Sequence, residues 1–310
     1  MTEISDLVSA LQTCFGDRVR QGEPLARHTT LGVGGPAQLW VTATTLAELT
    51  EAVTLAWRCQ VPVFVLGGGA NLLVSDEGIA GLVVHNRCQR VWVGEQDPAL
   101  IGAESGTVLA SLAHRLANQG LSGLEWAVGV PGTLGGALVN NAGAYGQCMA
   151  DCLVRAQVLE PDGGPHWHAV DWFEYEYRSS RLKRQRPGSG QAVILQAELR
   201  LKHRPQAEIE TQIAACAGRR KATQPTGASA GSMFKNPPGD CAGRLIEAAG
   251  LNGAAIGGAQ ISPVHANFFV NQGNASAADV AALIELAQSS VRARFGVELE
   301  LEIQKVGVWE

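Results

Sequence analysis

The stretch "GVPGTLGGALVNNAGAYG" (129–146) decides the expected fold, because glycine recurs in it at short intervals. Its glycines stand at positions 129, 132, 135, 136, 143 and 146, and no charged residue occurs from Trp126 to Ala150. Backbone N–H groups that no side chain shields can approach a ligand closely. The stretch therefore suits a planar, partly apolar ligand that carries phosphates, while a packed structural loop is the alternative interpretation.

A second glycine-rich stretch, "LGGGANLLVSD" (66–76), follows the apolar segment "VPVFVL" (61–66), which predicts a short buried strand. Successive backbone N–H groups in such a turn can form an anion-binding nest that admits a pyrophosphate. The stretch is not the G-x-G-x-x-G dinucleotide fingerprint, because no helical pattern follows it directly. On its own it could also be a tight turn between two strands. Two such loops in one chain together predict a site for a flavin or a nucleotide.

The composition narrows the class of protein. The chain has 310 residues, of which 46% are hydrophobic and 17% charged, as expected of a globular protein with two or three domains. A net charge of −5 argues against a broad surface for nucleic acid or anionic membranes, and Pro131 with six glycines argues against a membrane span over 126–150. The seven cysteines include no C-x-x-C pair and "HWH" (166–168) lacks a third ligand, so we expect free thiols and no metal site. The N-terminal residues lack the pattern of a signal peptide, which predicts a cytoplasmic protein.

Periodicity and turn residues predict alternating helices and strands. Helices are expected from a Thr45–Glu48 capping box to about Trp57, over 105–120, 206–220 and 240–250, and from Ser276 to Gly296. Strands are expected at 61–66, 81–86, near 153–160 and 191–201, at 256–261 and 267–271, and in the final segment "VELELEIQKVG" (297–307). The basic segment "KHRPQAE" (202–208) predicts a domain boundary.

Three further motifs carry polar side chains that could do chemistry. "YEYRSSRLKRQRP" (175–187) holds the basic residues Arg178, Arg181, Lys183, Arg184 and Arg186. Such a run is usually a solvated face, but Arg178 could instead bind a carboxylate or phosphate through its planar fork. "ELELEIQK" (298–305) predicts a strand with three glutamates on one face, which is either an exposed polar face or part of a site. "GSMFKNP" (231–237) sets a serine, a lysine and an asparagine close together before a proline.

Taken together, these motifs resemble the UDP-N-acetylenolpyruvoylglucosamine reductase family, also called UDP-N-acetylmuramate dehydrogenases, and its second type in particular. The resemblance runs from "HTTLGVGGPA" (28–37) to "LELEIQKVG" (299–307), and it also includes "AGRLIEAAGL" (242–251) and "HANFFVN" (265–271). It implies an α+β or α/β fold with a two-part FAD-binding domain of the vanillyl-alcohol-oxidase type and a C-terminal α/β substrate-binding domain. The implied boundaries are 1–88 and 89–204 for the two FAD-binding subdomains and 205–310 for the substrate domain.

The resemblance also implies the site residues. The catalytic residues would be Arg178, Ser232 and Glu302. FAD would be bound non-covalently by Gly67, Gly68, Gly69, Ala70, Asn71, Leu72, Gly129, Pro131, Gly132, Thr133, Gly135, Gly136 and Asn141. The substrate would contact Tyr177, Lys235, Asn236, Arg244 and His265. The expected partners are UDP-N-acetylglucosamine enolpyruvate and NADPH as the hydride-donating cosubstrate, and the protein is expected to be a monomer.

In the implied reaction, Ser232 would donate a proton with Lys235 nearby, Arg178 would stabilise negative charge, and Glu302 would assist. The chain departs from the family pattern in "SRLK", where phenylalanine is more usual before the lysine, and in "GGGAN", where serine is more usual than alanine. Neither change removes a reacting group. Two other interpretations are an oxidase or dehydrogenase with the same cofactor fold and an inactive protein that binds UDP-sugars. The first leaves "GSMFKNP" unexplained, and the intact catalytic residues argue against the second.

Overall fold

The computed structural model describes residues 2–161, 163–185 and 190–309. Within these ranges the α-helices are α1 (Thr2–Phe15), α2 (Leu46–Arg58), α3 (Leu109–Ala117), α4 (Leu134–Asn140), α5 (Arg181–Arg184), α6 (Gln206–Thr223), α7 (Ala242–Ala248) and α8 (Ala277–Phe295). The strands before residue 150 are β1 (Arg20–Pro24), β2 (Pro36–Ala43), β3 (Val63–Leu66), β4 (Leu72–Val74), β5 (Ile79–Asn86), β6 (Val91–Val93), β7 (Leu100–Glu104), β8 (Leu121–Ser122), β9 (Gly143–Ala144) and β10 (Gln147–Cys148). The later strands are β11 (Leu153–Glu160), β12 (Gly164–Ala169), β13 (Val193–Arg200), β14 (Lys202–His203), β15 (Ala228–Ser232), β16 (Ala255–Ile256), β17 (Ala259–Ile261), β18 (Phe268–Asn271) and β19 (Gln304–Val306).

The chain forms two compact units, each assembled from three separate segments. The first unit consists of Met1–Gln21, Leu39–Gly68 and Gly81–Arg219. The second consists of Gly22–Gln38, Gly69–Ala80 and Arg220–Glu310. The expected domain boundaries after residues 88 and 204 stay predictions.

The first unit contains a five-stranded antiparallel sheet with the strand order β12–β11–β13–β7–β6. Val193–Leu195 of β13 are all buried, and residues of β11 and β13 contribute to two different hydrophobic cores. Helices α3 and α4 contribute to one of these cores, in which Trp126, Leu134 and Phe173 are almost completely buried. Leu134, Ala137 and Leu138 of the stretch 129–146 are part of this core.

A second sheet has the strand order β1–β2–β5–β3, and β3 runs parallel to β5. Helix α2 begins after Thr45, whose hydroxyl accepts a hydrogen bond from Glu48 N (3.2 Å), so the predicted helix start is confirmed. The reciprocal half of the predicted capping box is wrong, because the Glu48 carboxylate accepts from Thr44 N (2.8 Å) instead. Leu49 and Val53 on α2 are fully buried in the core of this region.

The second unit is built on an antiparallel sheet with the strand order β15–β18–β17–β16. Helix α8 packs against β16, β17 and α7. It begins at Ser276 with a complete capping box to Asp279 and ends at Gly296, whose φ of 67° suits glycine, so the predicted helix is confirmed at both ends. A second pairing in this unit joins β19 to β4 in parallel.

Two predicted strands differ from the structure. The expected strand at 256–261 is a hairpin, because the chain turns at Gly257 between β16 and β17. The expected long final strand is wrong, since only Gln304–Val306 is a strand and Leu301 makes an isolated bridge to Phe234. Burial still alternates along 297–303, but the backbone groups bond to several different segments rather than to one neighbouring strand.

The uncharged segment 126–150 folds as turns around the short helix α4 and the β9–β10 hairpin. Across residues 2–161, 163–185 and 190–309, no helix combines the length and the apolar character needed to cross a membrane.

Candidate functional site

Two glycine loops of the first unit pack against each other through their backbones. Gly67 and Gly68 follow β3, and a Cβ atom added at Gly67 would lie 2.3 Å from Thr133 Oγ1. A Cβ added at Gly68 would lie 2.7 Å from Gly132 Cα. Glycine is therefore required at Gly68 by the close approach of the two backbones, and at Gly67 by the close approach of the Thr133 side chain.

The second of these loops is fixed on one side and open on the other. Gly135 N donates a hydrogen bond to Ser105 O (2.8 Å), which attaches the loop to the sheet. Gly136 is exposed, and of the atoms in the described ranges a Cβ there would meet only Thr133 Oγ1, at 3.8 Å. The open side therefore presents backbone without side chains, as a closely approaching ligand requires.

The two loops fit FAD as a non-covalent cofactor. Gly68, Gly129, Pro131 and Gly136 are among their exposed residues. Bare N–H groups can donate to phosphate oxygens, and the absence of charged side chains over 126–150 suits a flat, partly apolar ring. Neither 66–76 nor 129–146 contains a cysteine or histidine to which a flavin could be attached.

The remainder of the first glycine stretch belongs to the second unit and is bound to the segment of Glu302. Gly69 has a φ of 60°, and a Cβ there would lie 2.0 Å from the carbonyl oxygen of His28. Asn71 Nδ2 donates to Glu302 O (3.2 Å), and Asn71 O accepts from Gln304 N (3.0 Å). Ala70 is half-buried, and the buried Leu72 begins β4. Asn71, which we predicted to bind the cofactor, thus also fixes the backbone on both sides of Ile303.

The segment of Ser232 lies beside the segment of Glu302. Glu302 N donates to the carbonyl oxygen of Met233 (2.8 Å), the residue that follows Ser232. Lys235 N donates to Glu300 O (2.8 Å), so the two segments run antiparallel over three residues. Two of the three predicted catalytic residues are therefore brought together on neighbouring backbones.

Asn267 holds this arrangement, and it was not among the predicted site residues. Its buried amide accepts from Phe234 N (2.9 Å) and donates to Phe234 O (2.8 Å), as a neighbouring strand would. Its own carbonyl accepts from Met233 N (2.8 Å). Its position inside the motif "HANFFVN" was the available signal, but nothing in that pattern indicates the partner.

The Ser232 side chain is half-buried, and its hydroxyl makes no hydrogen bond with the described part of the chain. A hydroxyl in this state can donate a proton to a ligand without first breaking an internal bond. Lys235 Nζ, three residues away, is 2.5 Å from Glu300 Oε1, and the lysine side chain is much less exposed than the glutamate side chain. The lysine charge is thus held in place by an ion pair with the segment that faces it.

Three predicted substrate residues already have local partners. Asn236 Oδ1 accepts from Ala242 N (3.1 Å) at the start of α7. Arg244 Nε donates to Asp240 Oδ1 (2.6 Å), and this hydrogen bond is the main reason why the pKa of Asp240 is lowered to about 2. His265 Nδ1 accepts from Asn267 N (3.2 Å), and burial lowers the pKa of its ring. His265 is therefore neutral near pH 7, and Nε2 is the nitrogen that carries the proton.

Arg178, the third predicted catalytic residue, lies in the first unit at the tip of a tight turn. Glu176 and Ser179 exchange two backbone hydrogen bonds of 3.2 Å each, which leaves Tyr177 and Arg178 between them. Arg178 has a φ of 55°, a left-handed conformation that costs about 1–2 kcal/mol for a residue with a Cβ. Tyr177 is 57% exposed, and the Arg178 guanidinium lies 5.6 Å from its ring centroid.

Other members of the basic run stabilise local structure. Arg184 forms an ion pair with Glu174 (2.9 Å), and Arg181 lies 4.8 Å from the ring centroid of Trp172. Arg186 lies outside the described residues. The interpretation of the run as a solvated, internally paired face therefore applies to Arg181 and Arg184.

Asn141, predicted to bind the cofactor, ends α4 in a left-handed conformation with a φ of 44°. Its Nδ2 donates to Glu176 O (3.0 Å) and its Oδ1 accepts from Ala150 N (3.1 Å). The side chain therefore connects the glycine stretch to the turn that carries Arg178. A direct contact of Asn141 with the cofactor stays a prediction.

Comparison with known proteins covers both units. Residues 37–167 match the family model of an FAD binding domain, and residues 223–306 match that of the UDP-N-acetylenolpyruvoylglucosamine reductase C-terminal domain. The reductase of this name from Chloroflexus aggregans is 45% identical over 289 residues, covering 93% of this chain and 97% of the relative. The Bacillus subtilis reductase is 39% identical and covers 94% of each chain. The crystal structure of the Thermus caldophilus reductase matches with a TM-score of 0.75 at 37% identity, covering 93% of this chain and 97% of that one.

Proposed function

The chain belongs to the UDP-N-acetylenolpyruvoylglucosamine reductase family, and we propose that it reduces UDP-N-acetylglucosamine enolpyruvate to UDP-N-acetylmuramate. It combines an FAD-binding domain of the vanillyl-alcohol-oxidase type with the C-terminal domain of this family, and it is an FAD-dependent oxidoreductase of peptidoglycan precursor synthesis. NADPH is the hydride-donating cosubstrate.

The observation that carries the assignment of residues is the antiparallel contact between segments 233–235 and 300–302. This contact places Ser232 on the segment next to that of Glu302. The Ser232 hydroxyl makes no hydrogen bond with the described part of the chain. A proton donor and a carboxylate that can assist it are thereby fixed by main-chain bonds. Such preorganisation is what a positioned acid requires.

The chemistry that FAD supplies when bound is hydride transfer, from NADPH to the terminal vinyl carbon of the enolpyruvyl ether. The adjacent substrate carbon then carries an electron pair that is delocalised into the carboxylate, and it needs one proton. Ser232 Oγ–H donates this proton to that carbon, and solvent returns a proton to the oxygen afterwards. The Arg178 guanidinium binds the substrate carboxylate with two parallel N–H groups and stabilises the charge that accumulates there.

The remaining predicted residues hold the ligands. Glu302 orients the reacting groups near Ser232, while Lys235 and His265 offer polar contacts to the substrate. Gly67, Gly68, Gly132, Thr133, Gly135 and Gly136 hold FAD through their backbones. Because neither loop contains a cysteine or histidine, the usual attachment residues of flavins, we propose that FAD is bound non-covalently.

A visible spectrum, recorded without oxygen in three stages, tests the function. We expect flavin absorption in the purified protein, its loss on addition of NADPH, and its return on addition of the enolpyruvyl substrate. Turnover of a small alcohol with oxygen would indicate an oxidase of the same cofactor fold. Flavin that NADPH reduces but the enolpyruvyl substrate does not reoxidise would indicate a UDP-sugar binder, and protein without flavin after reconstitution would overturn the cofactor assignment.

We also propose that the protein works as a cytoplasmic monomer. The seven cysteines are all free, as expected in a reducing compartment. The net charge of −5 gives no support for binding to nucleic acid or anionic lipid. Light scattering coupled to size-exclusion chromatography tests the monomer, and a mass twice that of the chain would contradict it.

A further inference from the structure

The turn that carries Arg178 is attached to the rest of the first unit at both of its flanks. Before the tip, Asn141 Nδ2 donates to Glu176 O (3.0 Å). After the tip, the fully buried Ser180 donates from Oγ to Val139 O (2.6 Å). Both attachments lead to α4 or its last residues, so the base of the turn is fixed to the glycine stretch.

The tip of the turn is contacted by Lys183. Its Nζ donates a part-buried hydrogen bond of 3.1 Å to the carbonyl oxygen of Arg178. The position of Lys183 is itself defined, because Lys183 N donates to Ser180 Oγ (3.1 Å) at the start of α5. One hydroxyl therefore connects α4, the start of α5 and the residue whose ammonium reaches the tip.

We propose that Lys183 is a positioning residue for the reductase reaction, holding the Arg178 carbonyl and thereby the left-handed backbone from which the guanidinium projects. This inference rests on the proposed role of Arg178. The left-handed conformation is unfavourable for arginine, and the peptide group that follows it is held at both ends, at the Arg178 carbonyl by Lys183 and at the Ser179 N–H by Glu176 O (3.2 Å). Without Lys183 only the second of these bonds opposes rotation of the peptide group towards the common conformations. Rotation of that peptide group displaces the side chain, and a displacement of about 1 Å at a reacting group can cost about 100-fold in rate.

The test compares Lys183→Met, which keeps the length of the side chain but removes its donor, with Lys183→Arg, which keeps a donor. Lys202→Met is the matched control, because Lys202 is an exposed lysine on β14 of the same unit. Stopped-flow measurements follow flavin reduction by NADPH and flavin reoxidation by the enolpyruvyl substrate separately. We expect Lys183→Met to slow reoxidation by about 10- to 100-fold and to leave reduction unchanged. Lys183→Arg should recover part of the loss, and unchanged reoxidation in Lys183→Met overturns the inference.

A double-mutant cycle with Arg178→Ala separates the two roles. If Lys183 acts through Arg178, adding Lys183→Met to Arg178→Ala causes no further loss, whereas full additivity shows that Lys183 acts on something else. If Arg178→Ala alone leaves reoxidation unchanged, the proposed role of Arg178 fails. If Arg178→Ala is slow and Lys183→Met is normal, only the positioning role fails.

Hydrogen exchange supplies a readout that does not depend on activity. In Lys183→Met, amide exchange across 176–184 should accelerate, while exchange across 134–141 stays as in the parent protein. If Lys183→Met does not fold, Lys183→Leu, which also lacks a donor, replaces it in the same measurements. Equal exchange across 176–184 in the parent and the variant would overturn the inference.

Discussion

Replacing Gly67 with alanine tests whether the two glycine loops pack closely where Gly67 meets the Thr133 side chain. The new Cβ would lie 2.3 Å from Thr133 Oγ1, 3.3 Å from Cγ2 and 3.4 Å from Cβ. Thr133 is 7% exposed and therefore has little room to rotate away. Overpacking of this kind costs about 1–3 kcal/mol. For a folding unit of roughly 150–250 residues, each kcal/mol lowers Tm by about 2–4 °C, so we expect a fall of about 2–12 °C.

The same distances predict a rescue. Thr133→Ala removes Oγ1 and Cγ2, and the Cβ of Thr133, 3.4 Å from the new methyl group, then makes an almost ordinary contact. The double variant should therefore lose less stability than the two single losses together. The assay is thermal unfolding of flavin-free protein followed by flavin titration, with Gly136→Ala as the control. The control should keep its Tm but bind flavin more weakly if the open side holds FAD. Additive losses in the double variant would refute the proposed contact.

The remaining predictions concern the proposed proton donor, the arginine and one ion pair. Ser232→Ala should leave flavin reduction by NADPH near its normal rate and slow reoxidation by the substrate by about 100- to 10,000-fold in stopped-flow measurements, and Ser232→Cys should recover part of that loss. Arg178→Lys should lower the rate of reoxidation by about 100- to 1,000-fold, because a point charge does not replace two parallel N–H groups. The hydrogen bond from Arg18 lowers the pKa of Glu48 from 4.5 to about 2. The stability that Glu48 contributes is therefore present above pH 4.5 and lost as the pH falls towards 2, so the Tm difference between the parent and Glu48→Gln should shrink over that range.

Each of these has a result that contradicts it. Equal slowing of both half-reactions in Ser232→Ala would exclude the proton-donor role. Normal reoxidation in Arg178→Lys would place Arg178 on the solvated basic face. A Tm difference for Glu48→Gln that stays constant from pH 5 to pH 2 would show that the ion pair does not contribute to folding.

The sequence predicted those helices and turns whose ends are determined by residues within a few positions of them. The helix from Ser276 to Gly296 was predicted at both ends, because a hydroxyl cap and a left-handed glycine act within a few residues of the helix itself. The glycine stretches were recognised because bare backbone is visible in the residue types. The final segment was mispredicted, because alternation of apolar and polar residues determines which side chains are buried and not which segment pairs with the backbone.

In the site, too, features that depend on neighbouring residues were predicted, whereas those that depend on distant contacts were not. Ser232, Glu302 and Arg178 were predicted because the motifs that contain them resemble those of the reductase family, and their catalytic roles stay predictions. Asn267 was not, because an amide that bonds a backbone 33 positions away leaves no periodic signal. The role we propose for Lys183 was not predicted for another reason. A lysine in a basic run is interpreted as solvent-exposed unless its hydrogen-bond partner is known.

The way in which the second unit is assembled bears on how the protein is made on the ribosome. Leu31 and Leu73, synthesised early, are buried in one core with Phe234 and Phe269, which are synthesised late. Strand β4 pairs in parallel with β19, which lies more than 200 residues later in the chain. During translation the apolar side chains of these early segments therefore stay exposed to solvent until almost the whole chain has left the exit tunnel. In that interval they can aggregate or bind chaperones. A chain truncated just before β19 lacks the strand that pairs with Leu73, so we expect it to be degraded rather than to fold into a partly active enzyme.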